Sequence, residues 1–168
     1  MRRIFRNLVS IEEAKQRLEQ SLKIERKVES VPLRSSYGRI IAEDIYAPID
    51  VPPFDRAAMD GYAVRAEDTF GAEEDKPIKL KVVGRIEAGD KPEVEVHKGE
   101  AVEISTGAAI PKGSNAVVMV EYTSADNEDI LVFKPVAPGE NVIAAGSDIM
   151  AGELLVRKDT MLTAREIG

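Results

Sequence analysis

The sequence contains no cysteine and one histidine, His97. Disulfides, iron–sulfur clusters, thiolate zinc sites and cysteine nucleophiles are therefore excluded, and one histidine cannot form a histidine metal site by itself. A metal ion bound to this chain would have to be a hard cation with oxygen ligands.

Long apolar runs and an excess of positive charge are also lacking. No run of eighteen apolar residues that would predict a membrane span occurs, and the arginines near the start are not followed by the apolar segment of a secretory signal. The net charge of −7 argues against a nucleic-acid binder, because affinity for a phosphate backbone comes from clustered lysine and arginine. We therefore expect a cytoplasmic protein with neither a membrane nor a nucleic acid as partner.

What is present is a β-rich middle that follows one helix. Ser10 and Glu13 have capping-box spacing ahead of apolar residues at helical intervals, which predicts a helix over residues 11–22. From about residue 51 to residue 142, short apolar runs alternate with Gly, Pro, Asp and Asn clusters, a pattern typical of a small barrel or sandwich. The predicted strands cover residues 78–83, 94–96, 101–104, 116–120 and 130–133. Few of them alternate with long helices, so a doubly wound α/β fold is not expected.

A second capping-box pattern lies near the end of the sequence. Thr163 and Glu166 predict the start of a helix, and only two residues follow Glu166. Because so short a helix is not stable alone, we expect that the chain stops within an element.

The densest motif is PPFDRAAMDGYAV, residues 52–64. Asp55 and Asp60 flank small residues that a substrate could approach closely, and Mg²⁺ favours one or two carboxylates together with substrate phosphates. The alternative is structural, because Asp-Gly is a strong turn and hairpin signal and Asp60-Gly61 precedes a Tyr-Ala-Val strand. On spacing alone the turn is the favoured interpretation.

A second motif, ISTGAAIPKG, covers residues 104–113 and directly follows a predicted strand. The hydroxyls of Ser105 and Thr106, backbone N–H groups beside Gly107 and the ammonium group of Lys112 form a set that could bind an oxyanion. The segment lacks the Gly-Lys-Ser/Thr ending of a Walker loop, so P-loop ATP binding is not supported. An ordinary loop between strands is an equally open interpretation.

The third motif, PGENVIAAGSDIMAG, covers residues 138–152 and places Asp148 between glycines. By itself it is typical of a turn, a strand and a second turn, in which an aspartate more often accepts local hydrogen bonds than takes part in chemistry. Alone, it carries little functional information.

Together and in this order, the three motifs resemble those of a known family. FDRAAMDGYAV is similar to the FDNSAMDGYAV stretch of MoeA and the gephyrin E domain, and ISTGAAIPKGSNAVVMVE is similar to their TGAPIPEGADAVVMVE stretch. PGENVIAAGSDIMAGELL is similar to the family segment that contains PGENIR and GEDI. The resemblance runs from Ser10 to Gly168.

The resemblance implies a reaction in which molybdate is inserted into the dithiolene of adenylylated molybdopterin, with Mg²⁺ assistance and release of AMP. It also implies which residues are catalytic: Asp60, Thr106 and Asp148. The aspartates would position a metal ion or molybdate, and Thr106 would hydrogen-bond an oxyanion. The expected substrate-binding residues are Arg56, Ser105, Gly107 and Lys112. The expected metal ligands are Asp60 and Asp55.

A mainly β fold is implied as well, with a short N-terminal helix and an elongated region of coiled, bifurcated β-sheets. Residues 1–50 and 144–168 would form one lobe, and residues 51–143 a β-rich, barrel-like inserted domain. In the family, a homodimer and a separate pterin-binding domain complete the site, and that domain has no counterpart here. Ala57 replaces the usual serine, and Ala144-Ala145 stand where arginine is frequent, so one hydroxyl and some basic contacts are missing.

Two classes of function remain open. The chain would be the N-terminal part of an enzyme that is active only as a complete polypeptide, or a dimerisation and scaffold module without activity of its own. A plain carbohydrate-binding β module would explain the strands but not the motifs. A reading frame that continues past Gly168 into a pterin-binding domain would favour the enzyme.

Overall fold

The computed structural model describes residues 9–22 and 27–168. The chain forms two compact units, one made of Met1–Ala42 with Asp159–Gly168 and the other of Glu43–Lys158. Residues 43–50 and 144–158 thus belong to the same unit as the β-rich middle. A separate inserted domain at residues 51–143 stays a prediction. None of the helices in the described residues has the length and apolar character needed to cross a membrane.

The first unit begins with the predicted helix, α1 (Ile11–Ser21). The Ser10 side chain accepts a hydrogen bond from the Glu13 N–H at 3.1 Å, as the capping-box spacing predicts. No side chain of α1 is buried, and Ile11 is 83% exposed. The helix therefore presents apolar surface that the described residues of its unit leave exposed.

The same unit contains a 3-10 turn (Leu33–Ser35) and the short helix α2 (Ala164–Ile167). The capping box predicted at Thr163 and Glu166 is complete. The Thr163 side chain accepts a hydrogen bond from a backbone N–H of the first turn, and the Glu166 carboxylate accepts one from the Thr163 N–H. An isolated antiparallel bridge joins Ile40 to Met161.

The second unit is built from short strands. They are β1 (Ile45–Tyr46), β2 (Arg56–Ala57), β3 (Gly61–Val64), β4 (Ile78–Ile86), β5 (Glu100–Ile104), β6 (Ala116–Met119), β7 (Thr123–Asp126), β8 (Asp129–Val132), β9 (Val142–Ile143) and β10 (Leu154–Val156). Six of them form one sheet in the order β6-β3-β5-β4-β8-β7, in which only β4 and β5 are parallel. The pairs β1–β10 and β2–β9 are separate two-stranded ladders. The expectation of a mainly β fold is confirmed.

One predicted strand, residues 94–96, is wrong. The segment forms no ladder, although the Val96 N–H donates to the Lys112 carbonyl at 2.8 Å. Val96 is 2% exposed and packs in the core, and Val94 packs beside it. The apolar residues are there because they cover the sheet, not because they pair within it.

The strands β3, β5 and β6 of the six-stranded sheet are largely buried on both faces. Val64 packs into one apolar cluster and its neighbour Ala63 into another, because successive side chains of a strand point to opposite faces. Ala57 and Ala108 are fully buried in the second cluster, and Val142 packs against it. Residues from all three sequence motifs therefore cover one face of the sheet.

Candidate functional site

The three motifs lie side by side, with the first one in the middle. On one edge, β2 pairs with β9 so that Arg56 lies opposite Ile143. On its other edge, the Ala57 N–H donates to the Ala108 carbonyl at 2.9 Å, and the Gly107 N–H donates to the Ala57 carbonyl at 2.8 Å. Segments far apart in the sequence are therefore assembled into one backbone-bonded layer.

Asp60 and Thr106 form the central side-chain contact of this layer. Asp60 Oδ1 accepts from the Thr106 N–H at 2.7 Å and from the Thr106 hydroxyl at 2.8 Å. These two donors, the backbone N–H first and the hydroxyl second, lower the pKa of Asp60 below its ordinary value, against a smaller opposing effect of desolvation. Asp60 is exposed, but its two hydrogen bonds orient the carboxylate, and the lowered pKa keeps it ionised at neutral pH.

The backbone around Asp60 is fixed by close packing of strands. A Cβ atom on Gly61 would lie 2.0 Å from the Val118 carbonyl oxygen, so only glycine allows β3 to approach β6 here. The Asp60 carbonyl accepts from the Val120 N–H at 3.2 Å. The strand predicted after Asp60-Gly61 is present as β3, but the hairpin is not, because β2 pairs with β9 and β3 pairs with β5 and β6.

The backbone donors beside Gly107 in the second motif are not free. Its N–H groups donate to acceptors of the protein itself: Ser105 to Ile86, Thr106 to Asp60, Gly107 to Ala57, Ala108 to Ser105 and Ile110 to Asp55. Gly107 has a φ of +83°, so it does provide the expected turn. The expectation that these N–H groups are exposed for an oxyanion is wrong, because the loop needs them to bind the first motif.

Two other donors of this motif have different surroundings. The Lys112 ammonium lies 3.4 Å from a Glu95 carboxylate oxygen with its side chain 82% exposed, and no contact in the described residues joins it to Asp60. The Ser105 hydroxyl has no hydrogen-bond partner within residues 9–22 and 27–168. Lys112 is therefore paired with Glu95 and not with Asp60, and the Ser105 hydroxyl hydrogen stays available to a ligand.

Asp55 holds the third motif in place. Its Oδ1 accepts from the Ala145 N–H at 2.8 Å. Asp50 does the same further along, since its Oδ1 accepts from the Ala151 N–H at 2.8 Å. Sequence reasoning missed Asp50, for which the sequence gives no signal beyond its place before two prolines. Together these carboxylates fix both ends of the loop that carries Asp148.

Asp148 is exposed in that loop, and its backbone N–H donates to the Val51 carbonyl at 2.9 Å. Its carboxylate has no partner in the part of the chain that the structure describes, and no contact there joins it to Asp60 or Thr106. Val51 directly precedes the first motif, nine positions before Asp60. The structure thus joins Asp60 to Thr106 directly and supports Asp148 separately.

The oxygen ligands present suit only a partial metal site. Within the described residues, no group of three or more His, Cys, Asp or Glu side chains could hold a metal ion. Asp55 and Asp60 each have one oxygen engaged by N–H donors, which leaves Asp60 Oδ2 for a further ligand. Mg²⁺ keeps several waters and is commonly bound by one or two carboxylates plus substrate phosphates. The residues therefore fit Mg²⁺ that arrives with a phosphorylated substrate.

Known proteins are similar to this chain in sequence and in fold. The family described as the MoeA N-terminal region (domain I and II) matches residues 9–168. A protein of Methanocaldococcus jannaschii named for molybdopterin biosynthesis is 41% identical over 95% of this chain and 39% of its own length. The molybdopterin molybdenumtransferase of Bacillus subtilis is 41% identical over 82% of this chain and 33% of its own.

A solved structure of the molybdopterin biosynthesis protein MoeA from Pyrococcus horikoshii superimposes with a TM-score of 0.88. It is 49% identical and is matched over 96% of this chain and 41% of its own. The chain thus spans between about a third and two fifths of the length of these relatives. By sequence and by fold, the chain belongs to the MoeA N-terminal region family.

Proposed function

We propose that this chain is the N-terminal part of a molybdopterin molybdenumtransferase, which inserts molybdate into adenylylated molybdopterin with Mg²⁺ and releases AMP. The relatives of Bacillus subtilis and Synechococcus elongatus carry the name of this activity. Because the chain spans about a third of each, the activity would belong to a polypeptide of their full length.

The observation that carries the proposal is the Asp60–Thr106 contact. One oxygen of the solvent-exposed Asp60 carboxylate accepts hydrogen bonds from both the N–H and the hydroxyl of Thr106, a residue 46 positions away in the chain. Asp50 and Asp55 each accept from one backbone N–H and tie down a loop, whereas Asp60 accepts from two donors on one oxygen. The arrangement instead holds Asp60 Oδ2 ready for a cation or a reacting group.

The residues would act by orientation and charge. Thr106 has one hydroxyl hydrogen, which it donates to Asp60, so it positions that carboxylate and keeps its lone pairs as acceptors. Mg²⁺, when bound with the substrate's phosphates, would supply the positive charge that lets Asp60 approach a polyanion. Asp148 offers a second carboxylate on a loop fixed by Asp50 and Asp55.

Binding of the nucleotide-linked pterin needs more than this chain. The chain has a net charge of −7, and Lys112 already faces Glu95. A polyanionic substrate would meet carboxylates here, so most cationic contacts would come from a pterin-binding domain of the complete polypeptide or of its dimer partner. We propose a homodimer in the cytoplasm as the functional state. Exposed apolar side chains of α1, among them Ile11 and Leu18, support an association surface.

The proposal is tested by molybdenum insertion with Asp60→Asn in a polypeptide of the relatives' full length. The change is nearly isosteric and removes only charge, and we expect molybdenum insertion and AMP release to be lost or severely reduced. Asp75→Asn is the matched control, since Asp75 is an exposed aspartate outside the three motifs. Unchanged turnover in folded Asp60→Asn protein would refute the assigned role of this carboxylate.

A further inference from the structure

Arg56 lies among the assembled motifs, and residues 9–22 and 27–168 give its charge no electrostatic partner. Its Nε atom is buried and has no hydrogen-bond partner. No carboxylate of the described residues lies within ion-pair distance of its guanidinium group, whereas Arg85, Arg39 and Arg17 all have such partners. A buried, charged donor is normally paired, because desolvation without a partner is costly.

The position of Arg56 adds to this observation. Arg56 lies in β2 with Ile143 on one side and Ala109 on the other, so it is flanked by both the second and the third motif. Most donors first expected to bind an anion are engaged elsewhere: the amides beside Gly107 bind the protein's own acceptors, and Lys112 lies beside Glu95. The Ser105 hydroxyl, which is neutral, keeps no partner among the described residues. Among the charged donors of the three motifs, Arg56 is the one that the described residues leave unpaired.

We propose that Arg56 binds a tetrahedral oxyanion of the substrates. A guanidinium group presents several N–H donors in a planar fork that suits two oxygens of such an ion at once. A carboxylate of this chain could have paired with Arg56, as Glu87 and Glu103 do with Arg85, but none of the described ones does. The proposal rests on the proposed function for the identity of the ion, which is either molybdate itself or a phosphate of the adenylylated pterin.

Neither chain neighbour of Arg56 is its electrostatic partner. Ala57, which stands where the resembling family usually has a serine, is fully buried in the core and has no polar side-chain atom. Asp55, the other neighbour, turns one oxygen to the Ala145 N–H. One oxygen of the Asp55 carboxylate therefore already has a hydrogen-bond donor, the Ala145 N–H, before a ligand arrives.

The proposal is tested by nitrogen-15 NMR of the arginine Nε–H groups. Molybdate and inorganic phosphate are titrated separately into the chain at constant ionic strength. We expect one Nε–H signal, absent from Arg56→Gln, to shift saturably, together with the backbone N–H of Ala109. Arg56→Gln should weaken binding by about tenfold or more, the effect of losing a hydrogen bond to a charged group. Arg85→Gln, which removes the same charge from an ion-paired arginine, should bind as the parent does.

The two anions distinguish the two sources. Saturation by molybdate alone identifies the metal oxyanion, and saturation by both identifies a general oxyanion site that a substrate phosphate can occupy. No saturable shift with either anion, or equal weakening in Arg56→Gln and Arg85→Gln, overturns the proposal. If Arg56→Gln does not fold, the shift of the parent's Nε–H signal decides. If the full-length protein inserts molybdenum but no anion binds at Arg56, the oxyanion site alone is refuted. If an anion binds at Arg56 but the full-length protein is inactive, the proposed function alone is refuted.

Discussion

Replacing Gly61 by alanine should separate two strands directly beside Asp60. The added Cβ would lie 2.0 Å from the Val118 carbonyl oxygen, while contacts of real Cβ atoms closer than 3.0 Å are essentially never found. Both atoms belong to backbone or are fixed to it, so a rotamer change cannot relieve the clash. The β6 strand must retreat from β3 by about 1 Å, which lengthens the ladder bonds around this pair beyond hydrogen-bonding distance.

The expected loss follows from those bonds and from the core beneath them. At least two ladder bonds are broken, at roughly 1 kcal/mol each, and Val118, which is fully buried, loses packing. We therefore expect Gly61→Ala to lower the free energy of unfolding by about 3 kcal/mol or more. For a chain of this size that corresponds to a melting temperature lower by roughly 6 to 12 °C.

The matched control is Gly84→Ala, since Gly84 is also a strand glycine of the same sheet and neither residue has a positive φ. A Cβ there would lie 3.6 Å from a Val94 methyl group, an ordinary contact. Its stability should stay unchanged or rise by about 0.5 to 1 kcal/mol, because alanine has less freedom to lose on folding. Urea unfolding followed by circular dichroism measures both. Equal midpoints for the two variants would refute the steric argument.

Three further predictions concern the site and the assembly. Thr106→Ala removes the hydroxyl but keeps the backbone N–H, which contributes more, so the pKa of Asp60 should rise toward its ordinary value without exceeding it. A carboxylate whose pKa is lowered by folding stabilises the fold at pH above its unfolded-state pKa, and this stabilisation is lost as pH falls through the folded-state pKa. In Thr106→Ala the stabilisation from Asp60 should therefore be smaller and should be lost at a higher pH than in the parent. Carboxyl carbon NMR shows whether it does, and an unchanged titration contradicts it. Asp55→Ala removes the acceptor of the Ala145 N–H and should lower the free energy of unfolding by about 0.5 to 2 kcal/mol, the usual effect of a lost cap. Asp55→Asn keeps an acceptor oxygen and should lower the free energy of unfolding by less. Equal urea midpoints for the two would contradict the cap. Sedimentation at micromolar concentration should show a dimer, and a species of only 18.4 kDa would contradict self-association of this chain.

Features with local causes could be predicted from the sequence. The capping boxes at Ser10 and Thr163 involve residues three positions apart, and both helices begin where they were expected. Most strands were predicted from apolar runs, although β4 continues to Ile86 through Gly84, which a side chain of Val94 covers. That same packing made residues 94–96 look like a strand.

Pairings across the chain could not be predicted in this way. Asp55 was expected to bind a metal, and its role as the acceptor for Ala145 depends on a contact between residues 90 positions apart. The amides of the second motif were expected to be free, because the sequence does not reveal that the Ala57 carbonyl lies against Gly107. The motifs identified segments that the fold brings side by side, but tertiary contacts decided which of their donors remain available.

The proposed function makes these 168 residues the N-terminal part of a molybdopterin molybdenumtransferase of the relatives' full length. The most direct measurement is a chimera in which residues 9–168 replace the matching region of the Pyrococcus horikoshii MoeA protein, with which this chain shares 49% identity. We expect the chimera to release AMP from adenylylated molybdopterin in the presence of molybdate and Mg²⁺, and the relative without its N-terminal region not to do so. A chimera that folds and melts like the parent but releases no AMP would contradict the account.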